Sequence, residues 1–204
     1  MKVRPSKRSQ KAALIFMLPA TGLALNGCAE KQVEAQVFST PDECAAFYNP
    51  PEQCQAAFTE AAQLHPKVAP RYANKQECEA DFGPGQCETA PEQHQQGSFF
   101  MPMMMGFMAG QMLNRGGLAP AAGQAASQQT AAATGRNPVP TQPLYKSRDD
   151  RNTFRTASNT AVASQPGSTT IRPSAVQPKP AALARRGGFG AQAAQRSVNR
   201  SYGG

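Results

Sequence analysis

The chain has 204 residues, 40% of them hydrophobic and 7% aromatic, with no tryptophan and a formal net charge of +8. The charge is unevenly laid out: residues 1–27 hold five basic and no acidic side chains, residues 28–98 four basic against eleven acidic, and residues 99–204 twelve basic against two acidic. Basic residues scattered without interleaved stacking aromatics argue against nucleic acid as a partner. Two histidines with no nucleophile pattern or phosphate loop beside them argue against an enzyme.

In chain order, the first element is a targeting segment. The basic stretch before Ala12 runs into the apolar run Ala12–Leu25, the layout of a signal peptide over residues 1–27. Fourteen residues make only about 21 Å of helix against a hydrocarbon core of roughly 30 Å, which is too short for a membrane span. The run ends in Leu25-Asn26-Gly27-Cys28, which resembles the lipobox of bacterial lipoprotein signals. Cleavage before Cys28 leaves a thiol able to carry a lipid, and three acyl chains make a stable anchor. The membrane is then a partner through lipid on Cys28, with residues 28–38 as anchor and linker. Ala29 lacks the aspartate that often retains such lipoproteins at the inner membrane, which favours the outer membrane facing the periplasm in a Gram-negative source.

Residues 39–92 are predicted to form a small, mostly α-helical module stapled by Cys44, Cys54, Cys78 and Cys87. An even count in an exported chain points to two disulfides, and four cysteines permit three pairings. The segment Asp42–Cys54 echoes Gln76–Cys87: each reads Glu-Cys, an alanine, an aromatic, a proline turn and Gln-Cys, which favours pairing within each unit. Thr40 or Ser39 with Pro41 and Glu43, and Asn74 with Glu77, mark two helix starts. A longer helix is expected from Pro51 until Pro66 stops it, over a core of Phe47, Tyr48, Phe58, Leu64, Tyr72 and Phe82. Separations of ten and nine residues, without a Cys-x-x-Cys, suit neither structural zinc nor thiol exchange, and His65 and His94 are poorly placed to help. No metal ligand, cofactor or catalytic residue is assigned.

After a linker at 93–98, residues 99–115 include Phe99–Leu113, whose methionines recur at helical spacing. A Met/Gly-rich apolar helix is expected there, with Gly106 and Gly110 as a small-residue contact. It would pack on the module, touch the membrane or meet an envelope partner; thioether binding of Cu(I) is the sharper alternative. Residues 116–204 form a low-complexity basic tail, too poor in Leu, Ile, Val and Phe for a core of its own, and long disorder is expected. Two places stand out in it: Asp149-Asp150-Arg151 with Phe154 and Arg155, and Arg186–Gly190, which looks like a short recognition motif or part of an inert tail.

Taken in order, the Cys28 lipobox, Asp42-Glu43-Cys44, Pro70–Cys78, Phe82–Cys87, Ser98–Pro102, Gln142–Tyr145 and Arg186–Gly190 give the chain a resemblance to the DUF1190 (UPF0441, YgiB-like) family of bacterial lipoproteins. The resemblance implies an envelope location and supplies no catalytic residue. The expectation is therefore a non-catalytic accessory, adaptor or structural lipoprotein, with a periplasmic metal- or small-ligand-binding protein as the alternative.

Overall fold

The computed structural model describes residues 30–91, 99–110 and 139–201. Cys28, His94 and the signal-peptide reading lie outside those residues. The fold is mixed α/β, which corrects the expectation of a mostly helical module followed by a separate helix and a disordered tail.

Strand β1 (Val33–Phe38) falls within the stretch read as anchor and linker, yet it is an inner strand of the main sheet. It pairs antiparallel with β4 (Gly106–Ala109) on one side and β8 (Gly167–Ile171) on the other, and β5 (Gln142–Leu144) adds beyond β4. The resulting order is β5-β4-β1-β8. Two short ribbons accompany it: β2 (Cys87–Thr89) with β3 (Phe100–Pro102), and β6 (Phe154–Arg155) with β7 (Ala161–Ala163).

The described part of the Met/Gly stretch is therefore β3 and β4 joined by Met103–Met105, not a helix. Helical spacing of the methionines was misleading because every residue of β4 is buried, so no polar alternation betrays the strand. Gly106 has a sheet role: a Cβ there would lie 2.6 Å from the Phe38 carbonyl oxygen and 2.7 Å from Phe154 Cε1, so only glycine lets the strand and the ring approach this closely.

The tail is likewise ordered where it is described, from Val139 through β5, β6, β7, β8, a 3-10 turn at Pro173–Val176 and α4 (Ala191–Ser201). Its few large apolar residues do not need a core of their own. Val139, Leu144, Phe154, Val162, Ile171 and Val176 all enter one cluster with Ala35, Val37 and Met108 from the earlier strands. Buried Gln142 donates from Nε2 to the Val176 carbonyl, fixing the 3-10 turn to β5.

Three further helices hold the cysteines. In α1 (Pro41–Ala46), the Thr40 hydroxyl accepts from Glu43 N at 3.1 Å, and the Glu43 carboxylate accepts from Ser39 N at 2.6 Å, a reciprocal cap. Helix α2 (Pro51–Val68) runs through Pro66 instead of stopping at it. A proline in the last turn loses one helical donor but breaks nothing downstream, and Ala69 N still reaches the His65 carbonyl at 2.9 Å. Helix α3 (Lys75–Phe82) is capped by Asn74, which accepts from Glu77 N at 2.9 Å.

The disulfides are Cys44–Cys54 and Cys78–Cys87, the pairing within each unit. The first lies in a cluster with Phe38, Ala57, Ala61 and Phe107, and the second in one with Tyr72, Phe82, Tyr145 and Phe189. Tyr72 and Phe82 are core residues as expected, and Phe58 and Leu64 are partly buried. Phe47 and Tyr48 are not core: they are 50% and 100% exposed.

Candidate functional site

The C-terminal residues of α3 build the most polar junction in the described molecule. Asp81 is buried at 5% exposure, and its carboxylate accepts from the Tyr72 hydroxyl (2.9 Å), Gly187 N (2.6 Å), Gly188 N (3.1 Å) and Phe189 N (3.2 Å). Three successive backbone N–H groups form a concave nest for an anion, and here the anion belongs to the same chain. Gly187 makes the nest possible through its positive φ of 74°. Burial, followed by the charge and hydrogen bond of Asp81, pushes the Tyr72 hydroxyl well above the ordinary tyrosine range, so it remains a donor.

Next to the nest, the Phe189 ring lies 4.7 Å from Phe82 and 6.3 Å from Tyr145. Asn159 and Gly190 exchange two hydrogen bonds, with Asn159 Nδ2 donating to the Gly190 carbonyl and Gly190 N donating to Asn159 Oδ1. Asp149 accepts from Ala191 N and Gln192 N at the start of α4, and from the Ser147 hydroxyl. Burial alone would raise the Asp149 carboxyl, but the Gln192, Ser147 and Ala191 hydrogen bonds outweigh it and hold the group below its usual range. Upstream, Ala181 N donates to the Lys67 carbonyl, Arg71 N to the Ala182 carbonyl, and Ala184 N to the Arg71 carbonyl, so residues 181–190 lie as a strap along the end of α2 and over α3.

The strap's side chains open a cleft of about 290 Å³, lined by Arg148, Arg186, Arg196 and Gln192 around the Asp81 and Asp149 carboxylates. Arg148 is fixed at its root, with its N donating to the Asp81 carbonyl at 2.7 Å.

A second polar chain lies inside. His65 Nδ1 is 2.8 Å from the Tyr145 hydroxyl and Nε2 is 3.2 Å from Glu88 Oε1. Burial and the Glu88 charge push the Tyr145 hydroxyl far up, so it donates to Nδ1, and Nε2–H then donates to Glu88. Burial lowers the His65 pKa, and the hydrogen bond and charge of Glu88 only partly oppose this. The chain joins α2, β2 and Tyr145, with the phenol fully buried at one end and the Glu88 carboxylate part-exposed at the other.

The structure thus separates the sequence-derived features. Cys44, Cys54, Cys78 and Cys87 are paired; Arg186–Gly190 is bound by the chain's own Asp81; and Phe154 is core, with Arg155 paired to Asp150 at 3.0 Å. Within Phe99–Leu113, Phe107 and Met108 are fully buried, while Met103 and Met105 remain exposed at 42% and 38%. Sequence reasoning missed Asp81 and His65. A lone acid on a helix and a lone histidine carry no local signal, since the first strap N–H that Asp81 accepts from lies 106 residues further on and the Tyr145 partner of His65 lies 80 residues further on. Among the described residues, no group of three His, Cys, Asp or Glu side chains could hold a metal ion, and no helix is long and apolar enough to cross a membrane.

No solved structure matches the chain. The family model described as a protein of unknown function, DUF1190, matches residues 32–200, and the chain belongs to that family.

Proposed function

We propose that the protein is a non-catalytic accessory or adaptor lipoprotein of the cell envelope, tethered through lipid on Cys28, which receives a partner protein on its Phe47–Tyr48 turn. The observation that carries this reading is the contrast between the two cysteine-closed units. The Cys78–Cys87 unit carries a docked segment on Asp81 and Phe82, while the corresponding turn of the Cys44–Cys54 unit stands open. Tyr48 is fully exposed and held at φ +63°, a backbone state that a bulky residue rarely adopts and that recurs at binding sites. Phe47 beside it rests on Phe38, with ring centroids 5.4 Å apart, and Pro50-Pro51 follow on the surface. Rigid exposed aromatics on a disulfide-braced turn suit a binding anchor. Among the described residues, Met103, Met105, Leu183 and Val198 are further exposed apolar side chains, but none of them is an aromatic on a disulfide-braced turn.

Two experiments test this. The intact mass of the protein from native membranes should match residues 28–204 plus a diacylglycerol and an N-acyl chain; a mass beginning at Met1 refutes the anchor. A photo-crosslinking residue at position 48 should yield one discrete adduct in native membranes, whereas the same probe at exposed Ser158 should not. Equal labelling at both positions, or none at either, refutes the docking turn.

A further inference from the structure

We propose that the cleft between α3 and the strap is a phosphate-binding site, with Arg148, Arg186 and Arg196 as its ligands. This inference is independent of the aromatic turn and of any protein partner. Among the described residues, none of the three cleft arginines lies within ion-pair distance of a carboxylate, unlike Arg155, which meets Asp150 at 3.0 Å. That is notable because two carboxylates line the same cleft. Their oxygens are already engaged: those of Asp81 by three backbone N–H groups and the Tyr72 hydroxyl, and those of Asp149 by Ala191 N, Gln192 N and the Ser147 hydroxyl. The acids hold the loops, and the guanidinium donors are left for something else, with the three arginines outnumbering the two carboxylates.

The roots of all three arginines are ordered by those same contacts. Arg148 donates its backbone N–H to the Asp81 carbonyl. Arg186 immediately precedes the Gly187 N–H held by Asp81. Arg196 lies four residues after Gln192, on the same face of α4, and its Nη2 is 3.3 Å from where a Gly187 Cβ would stand, so the bare backbone seats the guanidinium over the nest. Guanidinium forks match the oxygens of a phosphate group, and several converging on one open cleft outcompete a single surface lysine. A volume of about 290 Å³ takes a phosphate with a small substituent. Free phosphate and a phospholipid headgroup present the same chemistry there.

The test uses the chain from Ala29 onward, which retains all three apolar clusters and can be handled without lipid. Calorimetric titration with inorganic phosphate at low salt is compared with flotation on vesicles of phosphatidylglycerol in phosphatidylcholine against phosphatidylcholine alone. Saturable phosphate binding, or retention specific to phosphatidylglycerol, is expected to weaken at least tenfold in both R186Q/R196Q and R148Q/R196Q. The control R172Q/K179Q removes as much charge from exposed positions outside the cleft and should bind as the parent does. Vesicle retention without phosphate binding assigns a headgroup; phosphate binding without retention assigns a soluble phosphate. Equal weakening in control and cleft variants whose thermal midpoints match the parent overturns the site, as does the absence of both signals in the parent chain.

Discussion

In the unit closed by Cys78–Cys87, the third and fourth residues after the first cysteine are Asp81 and Phe82, and both are covered by the C-terminal strap. In the unit closed by Cys44–Cys54, the same places hold Phe47 and Tyr48, and both face solvent. The shared spacing gives each unit its helix and staple, but the residue three places on decides what sits upon it. A carboxylate there gathers three backbone N–H groups that would otherwise need water, whereas a phenylalanine ring offers them nothing. One unit is thereby completed from within the chain, and the other presents an aromatic turn.

The largest effect should come from breaking the occupied unit. Asp81→Ala orphans three N–H groups and the Tyr72 hydroxyl, and should cost about 3–5 kcal/mol in urea unfolding, with new protease cleavage at Arg185 or Arg186. Asp81→Asn retains one acceptor oxygen and should fall between the two. Replacing both cysteines of either unit with serine should cost about 2–3 kcal/mol. Only loss of Cys78–Cys87 should also free the strap to proteases, and equal cleavage in the two variants would break the comparison.

A smaller effect concerns pH. The folded His65 pKa lies below its unfolded value of 6.5, so the unfolded state binds the proton first as pH falls. The stability that neutral His65 contributes is full above about pH 6.5 and is lost as pH drops through its folded pKa. Urea midpoints should fall through this window in the parent chain and flatten in His65→Gln; a parent midpoint that rises on acidification contradicts the burial argument. The smallest effect belongs to the open unit. Tyr48→Gly removes no buried contact and relieves the positive φ, so stability should stay level or rise by up to about 1 kcal/mol, while the adduct formed by a photo-crosslinking residue at neighbouring position 47 is lost. Destabilisation by more than that amount would mean Tyr48 is structural.

Local features were legible in the sequence. The caps at Thr40 and Asn74 and the two short disulfides are properties of neighbouring residues, and the helix starts follow from them. What escaped was long range. Residues 33–38 read as a linker because their partners in β4 and β8 lie about seventy and a hundred and thirty positions away. The tail read as disordered because its apolar residues were weighed by themselves, although Val162, Ile171 and Val176 share a core with Ala35 and Val37. Arg186–Gly190 read as either a short recognition motif or part of an inert tail, and its place on the chain's own Asp81 was not legible. Phe47 and Tyr48 were placed in the core on hydrophobicity alone, which is blind to a turn held at the surface.

The most direct test of the account is amide hydrogen exchange of the strap, followed in the parent chain and in Asp81→Ala. The account predicts slow exchange at Gly187, Gly188 and Phe189, abolished by the substitution, with the amides of β1 still protected. Exchange at the rate of an unfolded peptide across residues 186–190 of the parent would contradict it, because the second unit would then stand as open as the first.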